Sequence, residues 1–206
     1  MHLNIIKTIG LLGLFFGLLA CNQPSPKTTV ALTTRVAIPN QLVQHNDPFL
    51  EKIEGILYYQ NLPFSGQQEE QYPDGNTKEL STYWEGKKHG KSLGWHNNAQ
   101  QLFERYYNHG LKEGQHKGWW ANGQLKFDYQ FLAGEHHGTA QAWYESGQLY
   151  KLFNYLHGKE EGRQQMWTEE GEYKANYVIK NGRRYGLIGS KPCYTIEEQE
   201  QSIILP

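Results

Sequence analysis

Glycine recurs at a fixed 24-residue step, at Gly66, Gly90, Gly114, Gly138, Gly162 and Gly186. Gly86, Gly110, Gly134, Gly158 and Gly182 keep the same step, and so do Trp95, Trp119, Trp143 and Trp167. A fourth column reads Gly75, Ala99, Gly123, Gly147 and Gly171. Four columns in one register make the chain a tandem array. Its units cannot bury an apolar face alone and must stack on one another. Function is then expected on a repetitive surface rather than in one cleft.

Each unit holds two short apolar runs and two turns. Asn122-Gly123 and Ser146-Gly147 suit hairpin turns, since glycine takes a positive φ without steric cost. The second turn reads Gly-x-x-x-Gly, as in Gly86-Lys87-Lys88-His89-Gly90. The runs between turns carry Trp, Tyr, Phe and Leu, which favour strands. Alternation places Leu125, Phe127, Tyr129 and Phe131 on one inner face, with Lys126, Asp128 and Gln130 on the other. Helices are excluded by a glycine about every ten residues with no stripe at helical spacing between them. The expected fold is all-β: tandem 24-residue β-hairpin repeats forming an elongated antiparallel meander sheet.

These units resemble the bacterial MORN-repeat variant family, whose units look like NGxLxxxxxYxxGxxxGxxxxWYxxG. The match is close over residues 122–143 and 146–167 and looser over 74–95. Residues 55–66 resemble the opening half-repeat of such arrays. The resemblance covers residues 51–189, about five and a half repeats. Bacterial members are often labelled YwqK-like antitoxins, which implies an antitoxin-like role as an alternative function.

The first residues point to a membrane-anchored product. Lys7 precedes an apolar core from Ile9 to Leu19, too short to span a bilayer and suited to a signal peptide over residues 1–20. Leu18-Leu19-Ala20-Cys21 resembles a bacterial lipobox, which implies cleavage before Cys21 and its lipidation. Several acyl chains would hold the protein stably on a membrane. Asn22 after the cysteine implies the outer membrane. Residues 21–50 read as the lipid anchor and a flexible linker, with Pro24, Pro26, Pro39 and Pro48 among polar residues. Such a tether reaches about 30 Å. Residues 190–206 are read as a C-terminal tail.

The formal net charge is −1, and loss of residues 1–20 removes only Lys7, leaving −2. Such a balance gives no reason to expect nucleic acid as a partner, nor a polybasic patch for anionic lipid. With Cys21 lipidated, Cys193 is the one remaining thiol, so no internal disulfide forms; Cys193 reads as a small residue at the end of the sheet. No zinc, phosphate-loop or nucleophile motif is present. No metal or other cofactor is expected. The column His89, Glu113, His137, Glu161 crowds one set of turns with His109, His136 and His157. His89 and His137 are weak metal or pH-sensing candidates. Equivalent positions lie about 9–10 Å apart, which suits polar turn decoration better than a tetrahedral site.

Two function classes follow. The first is a non-enzymatic scaffold or binding lipoprotein of the cell envelope, docking an envelope protein or a glycan. The Trp95/Trp119/Trp143/Trp167 column is expected to be core. The column one residue on, His96, Trp120 and Tyr144, faces the other side and is the candidate binding surface, free of any duty in folding. The second class is a cell-envelope hydrolase or lyase with an acid pair among Glu104, Asp128 and Glu145, though no spacing singles out a pair.

Overall fold

The computed structural model describes residues 37–188 and 191–192. The signal segment, Cys21, most of the linker and Cys193 lie outside the described residues.

Among the described residues the fold is all-β, without a helix, and its long antiparallel meander is not closed into a barrel. At the N-terminal end lie β1 (Leu42–Gln44), β2 (Leu50–Ile53), β3 (Ile56–Tyr59) and β4 (Leu62–Pro63). The array proper begins with β5 (Gly66–Gln71), β6 (Thr77–Trp84), β7 (Lys87–Trp95) and β8 (Gln101–Asn108). It continues with β9 (Leu111–Lys112), β10 (Gly114–Trp119), β11 (Leu125–Leu132), β12 (Glu135–His136) and β13 (Gly138–Trp143). Then come β14 (Leu149–Leu156), β15 (Lys159–Glu160), β16 (Gly162–Trp167) and β17 (Tyr173–Lys180). β18 (Arg183–Ile188) and β19 (Lys191–Pro192) close it. β2, β3 and β4 form a small sheet of their own. In the main sheet the strands follow one another from β5 onward, the short β9, β12 and β15 pairing only with β8, β11 and β14, and β1 joins the outer edge of β5 in parallel.

The two turns of each unit differ in kind. Glu85-Gly86, His109-Gly110, Ala133-Gly134, His157-Gly158 and Asn181-Gly182 all have two consecutive positive φ angles. That is the type I′ hairpin, whose twist matches that of the flanking strands. The Gly-x-x-x-Gly segment is therefore not one turn, as expected from the spacing. Its first glycine closes the hairpin, while the second sits at positive φ, within β7 for Gly90 and at the start of β10, β13 and β16 for Gly114, Gly138 and Gly162. There it bulges the strand: Lys112 faces Tyr107, but Lys117 already faces Glu104. The Asn122-Gly123 turn is a wider loop. The Gly123 N–H donates to the Trp120 carbonyl at 2.9 Å, and the Trp120 N–H to the Gln124 carbonyl at 2.8 Å.

Beside each wider loop the register slips again, so that Gly118 faces Phe127 but Trp119 faces Leu125. This bulge corrects the expected inner face. Phe127, Tyr129 and Phe131 do share it, but Leu125 crosses to the side of Trp119. Gln165 donates to the hydroxyl of Tyr173 at 3.2 Å, and the Tyr173 ring packs on Trp167 at 5.6 Å, which places the Trp column on this second side. The side of Phe127 is called the front face below, and the side of Trp119 the back face.

Beyond the N-terminal cluster, the buried aromatic rings belong to the front face: Phe103, Phe131, Phe153 and Tyr177. Gly94 and Gly118 explain part of this. Each faces a phenylalanine across the ladder, and a Cβ on Gly94 or Gly118 would run into the ring of Phe103 or Phe127. Rings fold down over glycine where no second layer covers them. The Trp column is half-buried. The expectation that it forms the core is therefore corrected: a single-layer sheet has nothing to lay over four large indoles on its back.

The array is capped at its start. Val43, Leu57, Phe64 and Tyr83 form a buried cluster flanked by Leu50 and Tyr59, and burial pushes the Tyr83 hydroxyl up to about 12. Ordered structure thus begins upstream of residue 51. Part of the segment read as linker is built in, because Val43 fills this cluster while Gln44 bonds Glu69 at 2.7 Å.

Candidate functional site

At two of the bulges a buried side chain bonds backbone groups of the preceding strand. Gln164 donates from Nε2 to the Asn154 carbonyl at 2.9 Å and accepts the Asn154 N–H at Oε1 at 3.0 Å. Its amide stands in for a missing peptide of the ladder. One step of two repeats earlier, His116 donates from Nε2 to the Tyr106 carbonyl at 2.7 Å. Ser92 in the same column bonds Ser81 at 2.6 Å, and Ala140 is buried with no polar group. Burial holds the His116 imidazole below its ordinary pKa, with Lys112, Arg105 and His136 adding positive charge nearby. Burial, then Lys112 and Lys151, does the same to His136.

The candidate column His96, Trp120, Tyr144 proves to be a ladder of its own. His96 Nε2 donates to the Trp119 carbonyl at 3.0 Å, Trp120 Nε1 to the Trp143 carbonyl at 3.1 Å, and the Tyr144 hydroxyl to the Trp167 carbonyl at 3.1 Å. Tyr72 begins it, on the Trp95 carbonyl at 2.9 Å. Each side chain ties its own repeat to the loop of the next. The expectation that these residues bear no structural duty is corrected accordingly. Their polar ends are committed, while their rings remain half-exposed. Asn98 and Asn122 add a parallel tie, donating to the Ala121 and Glu145 carbonyls at 2.8 and 3.1 Å.

On the front face, Trp120, Phe127, Tyr129, Tyr144 and Tyr150 wall a depression of about 310 Å³, with Lys126 at its margin. Lys126 Nζ lies 4.0 Å from the centre of the Trp120 ring, and the Tyr150 ring meets Tyr144 edge-on at 5.1 Å. Lys126 and Tyr150 are equivalent residues one repeat apart. Both sit at the wider-loop bulge, which turns them toward the second column. Reading by strict alternation put Lys126 on the opposite side. The signal that could have found it is the fixed offset of six residues from Trp120 to Lys126 and from Tyr144 to Tyr150.

Cations lie flat on rings along the same face. Arg105 covers Phe103 at 4.0 Å, Lys112 covers Phe131 at 4.7 Å, and Lys151 covers Phe153 at 4.4 Å. Burial lowers the Lys151 ammonium, with Glu160 opposing it. On the back face charges are paired instead: Lys91 with Glu104 at 3.1 Å and Lys117 with Asp128 at 3.8 Å. Glu104 also accepts from the Tyr106 hydroxyl, and Asp128 from Gln115. Glu145 lies in a wider loop and offers its carbonyl to Asn122. The carboxylates of Glu104 and Asp128 are thus engaged on the back face, while the bond to Glu145 is to its backbone.

The histidine column serves the turns. His89 Nδ1 accepts the His109 N–H at 3.3 Å, as Glu113 accepts the Ala133 N–H at 2.9 Å and Ser65 the Glu85 N–H at 2.9 Å. Burial, then the neighbouring His109, lowers the pKa of His89. His137 packs against His157 at 5.6 Å. Among the described residues no group of three or more His, Cys, Asp or Glu is placed to hold a metal ion. The chain matches no known family model, and no curated protein is similar enough to count as a relative.

Proposed function

We propose that the chain is a lipid-anchored, non-enzymatic repeat protein of the bacterial envelope that docks a partner on its front face. Its likeness to the MORN-repeat variant family belongs to the same proposal. The observation that carries the docking reading is the open, ring-walled depression at Trp120, Tyr144 and Tyr150. Rings held in place by bonds from their polar ends present apolar area at little entropic cost, which is what an interface anchor needs. The anchoring half rests on the apolar run from Ile9 to Leu19 closed by Cys21.

The two halves have separate tests. Cys21→Ser should release the protein from membranes or leave it unprocessed; a correctly cleaved species still sedimenting with membranes would refute lipidation. For docking, the full chain is recovered from membranes with whatever accompanies it. Tyr150→Ala should lose that material while melting as the parent does. Tyr150 suits this because, unlike Tyr144, its hydroxyl makes no tie to the neighbouring repeat among the described residues. Unchanged recovery with Tyr150→Ala would remove the front face from consideration.

A further inference from the structure

Four basic side chains of the front face, Arg105, Lys112, Lys126 and Lys151, stand without an ion-pair partner among the described residues. The acids at the two ends of this face are taken: Glu79 holds Lys88 at 2.8 Å, and Glu160 holds Arg184 at 3.6 Å and the Tyr177 hydroxyl at 3.0 Å. The front face of the middle repeats therefore presents cations without an ion-pair partner among the described residues, with Glu79 and Glu160 reaching Arg105 and Lys151 only at longer range, in a chain whose net charge is −1. The same repeats hold the ring-walled depression. An occupant complementary to both must be acidic and must present flat apolar faces.

Equivalent positions of successive repeats are about 9–10 Å apart, two strand spacings. This is the scale of a sugar pair in an extended linear polysaccharide. A bilayer surface is a poor fit, because Lys126, Lys151 and Arg105 are half-buried and lie across rings rather than standing clear. An acidic peptide fits less well too. Trp120 Nε1 and the Tyr144 hydroxyl already donate to backbone, and an interior strand has no free ladder for a peptide to join. Sugar rings need faces to stack on, and acidic groups need the lysines.

We infer that the front face binds a linear acidic polysaccharide, stacked on Trp120, Tyr144 and Tyr150 with its carboxylates at Lys126 and Lys151. The inference rests on the docking reading above and names its ligand class.

The test uses the full chain in neutral phosphatidylcholine nanodiscs, titrated with hexamannuronate and with neutral mannohexaose, read by calorimetry and tryptophan fluorescence. Hexamannuronate should bind at least ten-fold more tightly than mannohexaose, and more weakly as salt rises. Lys126→Gln with Lys151→Gln should lower that affinity at least ten-fold, while Lys117→Gln, on the back face, leaves it within two-fold. Tyr150→Ala should weaken binding as well, and it serves if the double variant fails to fold. Equal affinity for the two sugars, or full affinity in both variants, overturns the inference. So does binding to anionic vesicles that depends on Lys126 and Lys151 while hexamannuronate is ignored. Partner recovery that depends on Tyr150 without any hexamannuronate binding overturns the ligand class and leaves docking standing. Failure of both overturns both.

Discussion

His116 and Gln164 occupy one position of the repeat and solve one problem with different chemistry. A buried backbone group left unpaired costs about 1–3 kcal/mol, so the bulge needs a substitute for the missing ladder bond. Gln164 supplies a donor and an acceptor from separate atoms; His116 supplies one good bond, to the Tyr106 carbonyl. His116→Ala should then destabilise the array by about 1–3 kcal/mol, whereas His116→Gln should hold or raise the melting temperature. The pH dependence has a definite sign. Burial lowers the folded pKa of His116 and His136, so the unfolded chain takes up protons first as pH falls. Stability is full above the ordinary histidine value of about 6.5 and is lost as pH drops below it. Denaturant melts across that range should show a shallower loss in His116→Gln; an unchanged slope would mean that His116 does not titrate in this way. Tyr144 separates structure from surface. Tyr144→Phe removes the tie to the Trp167 carbonyl and keeps the ring, so it should cost about 0.5–1.5 kcal/mol of stability without loss of partner recovery.

At the scale of the hairpin, glycine spacing announced the turns and the alternation of Phe127, Tyr129 and Phe131 announced their shared face. Both were readable because each follows from backbone geometry repeated five times. The division of Gly-x-x-x-Gly was not readable, since two glycines four residues apart suit one wide turn as well as a tight turn followed by a bulge. The slip at Trp119 was hidden for a related reason: period two assumes an unbroken ladder, and one extra residue moves Leu125 and Lys126 to unexpected sides. The candidate column was found, but its bonds to the next repeat depend on a spatial neighbour 23 residues away. Val43 was missed because one apolar residue in a proline-bearing polar segment carries no period. The type I′ turns make a further claim. Ala133 sits at φ 50, where asparagine is better tolerated. Ala133→Asn should raise stability by about 0.5–1 kcal/mol, and Gly134→Val should lower it by more than about 1 kcal/mol. Thermal melts of the two variants check both signs, and a neutral Gly134→Val would contradict the turn assignment.

Across the whole molecule, the proposed docking rests on two unequal faces. The back face neutralises its charges in pairs, and its half-buried indoles lie beside polar residues. The front face keeps its rings and leaves its middle cations without an ion-pair partner among the described residues. The N-terminal cluster around Val43, Leu57, Phe64 and Tyr83 shields the start of the array, which lowers the tendency of an open sheet to join copies of itself. A partner is then expected across the strands at the middle repeats rather than along an edge. The most direct test places a photo-activatable benzoyl-phenylalanine at Tyr150 on the front face or at Tyr106 on the back, in cells that make the full chain. Cross-linked product from Tyr150 and none above background from Tyr106 is the expected result. Product from Tyr106 alone, or in equal amount from both, would contradict the assignment of the working surface to the front face.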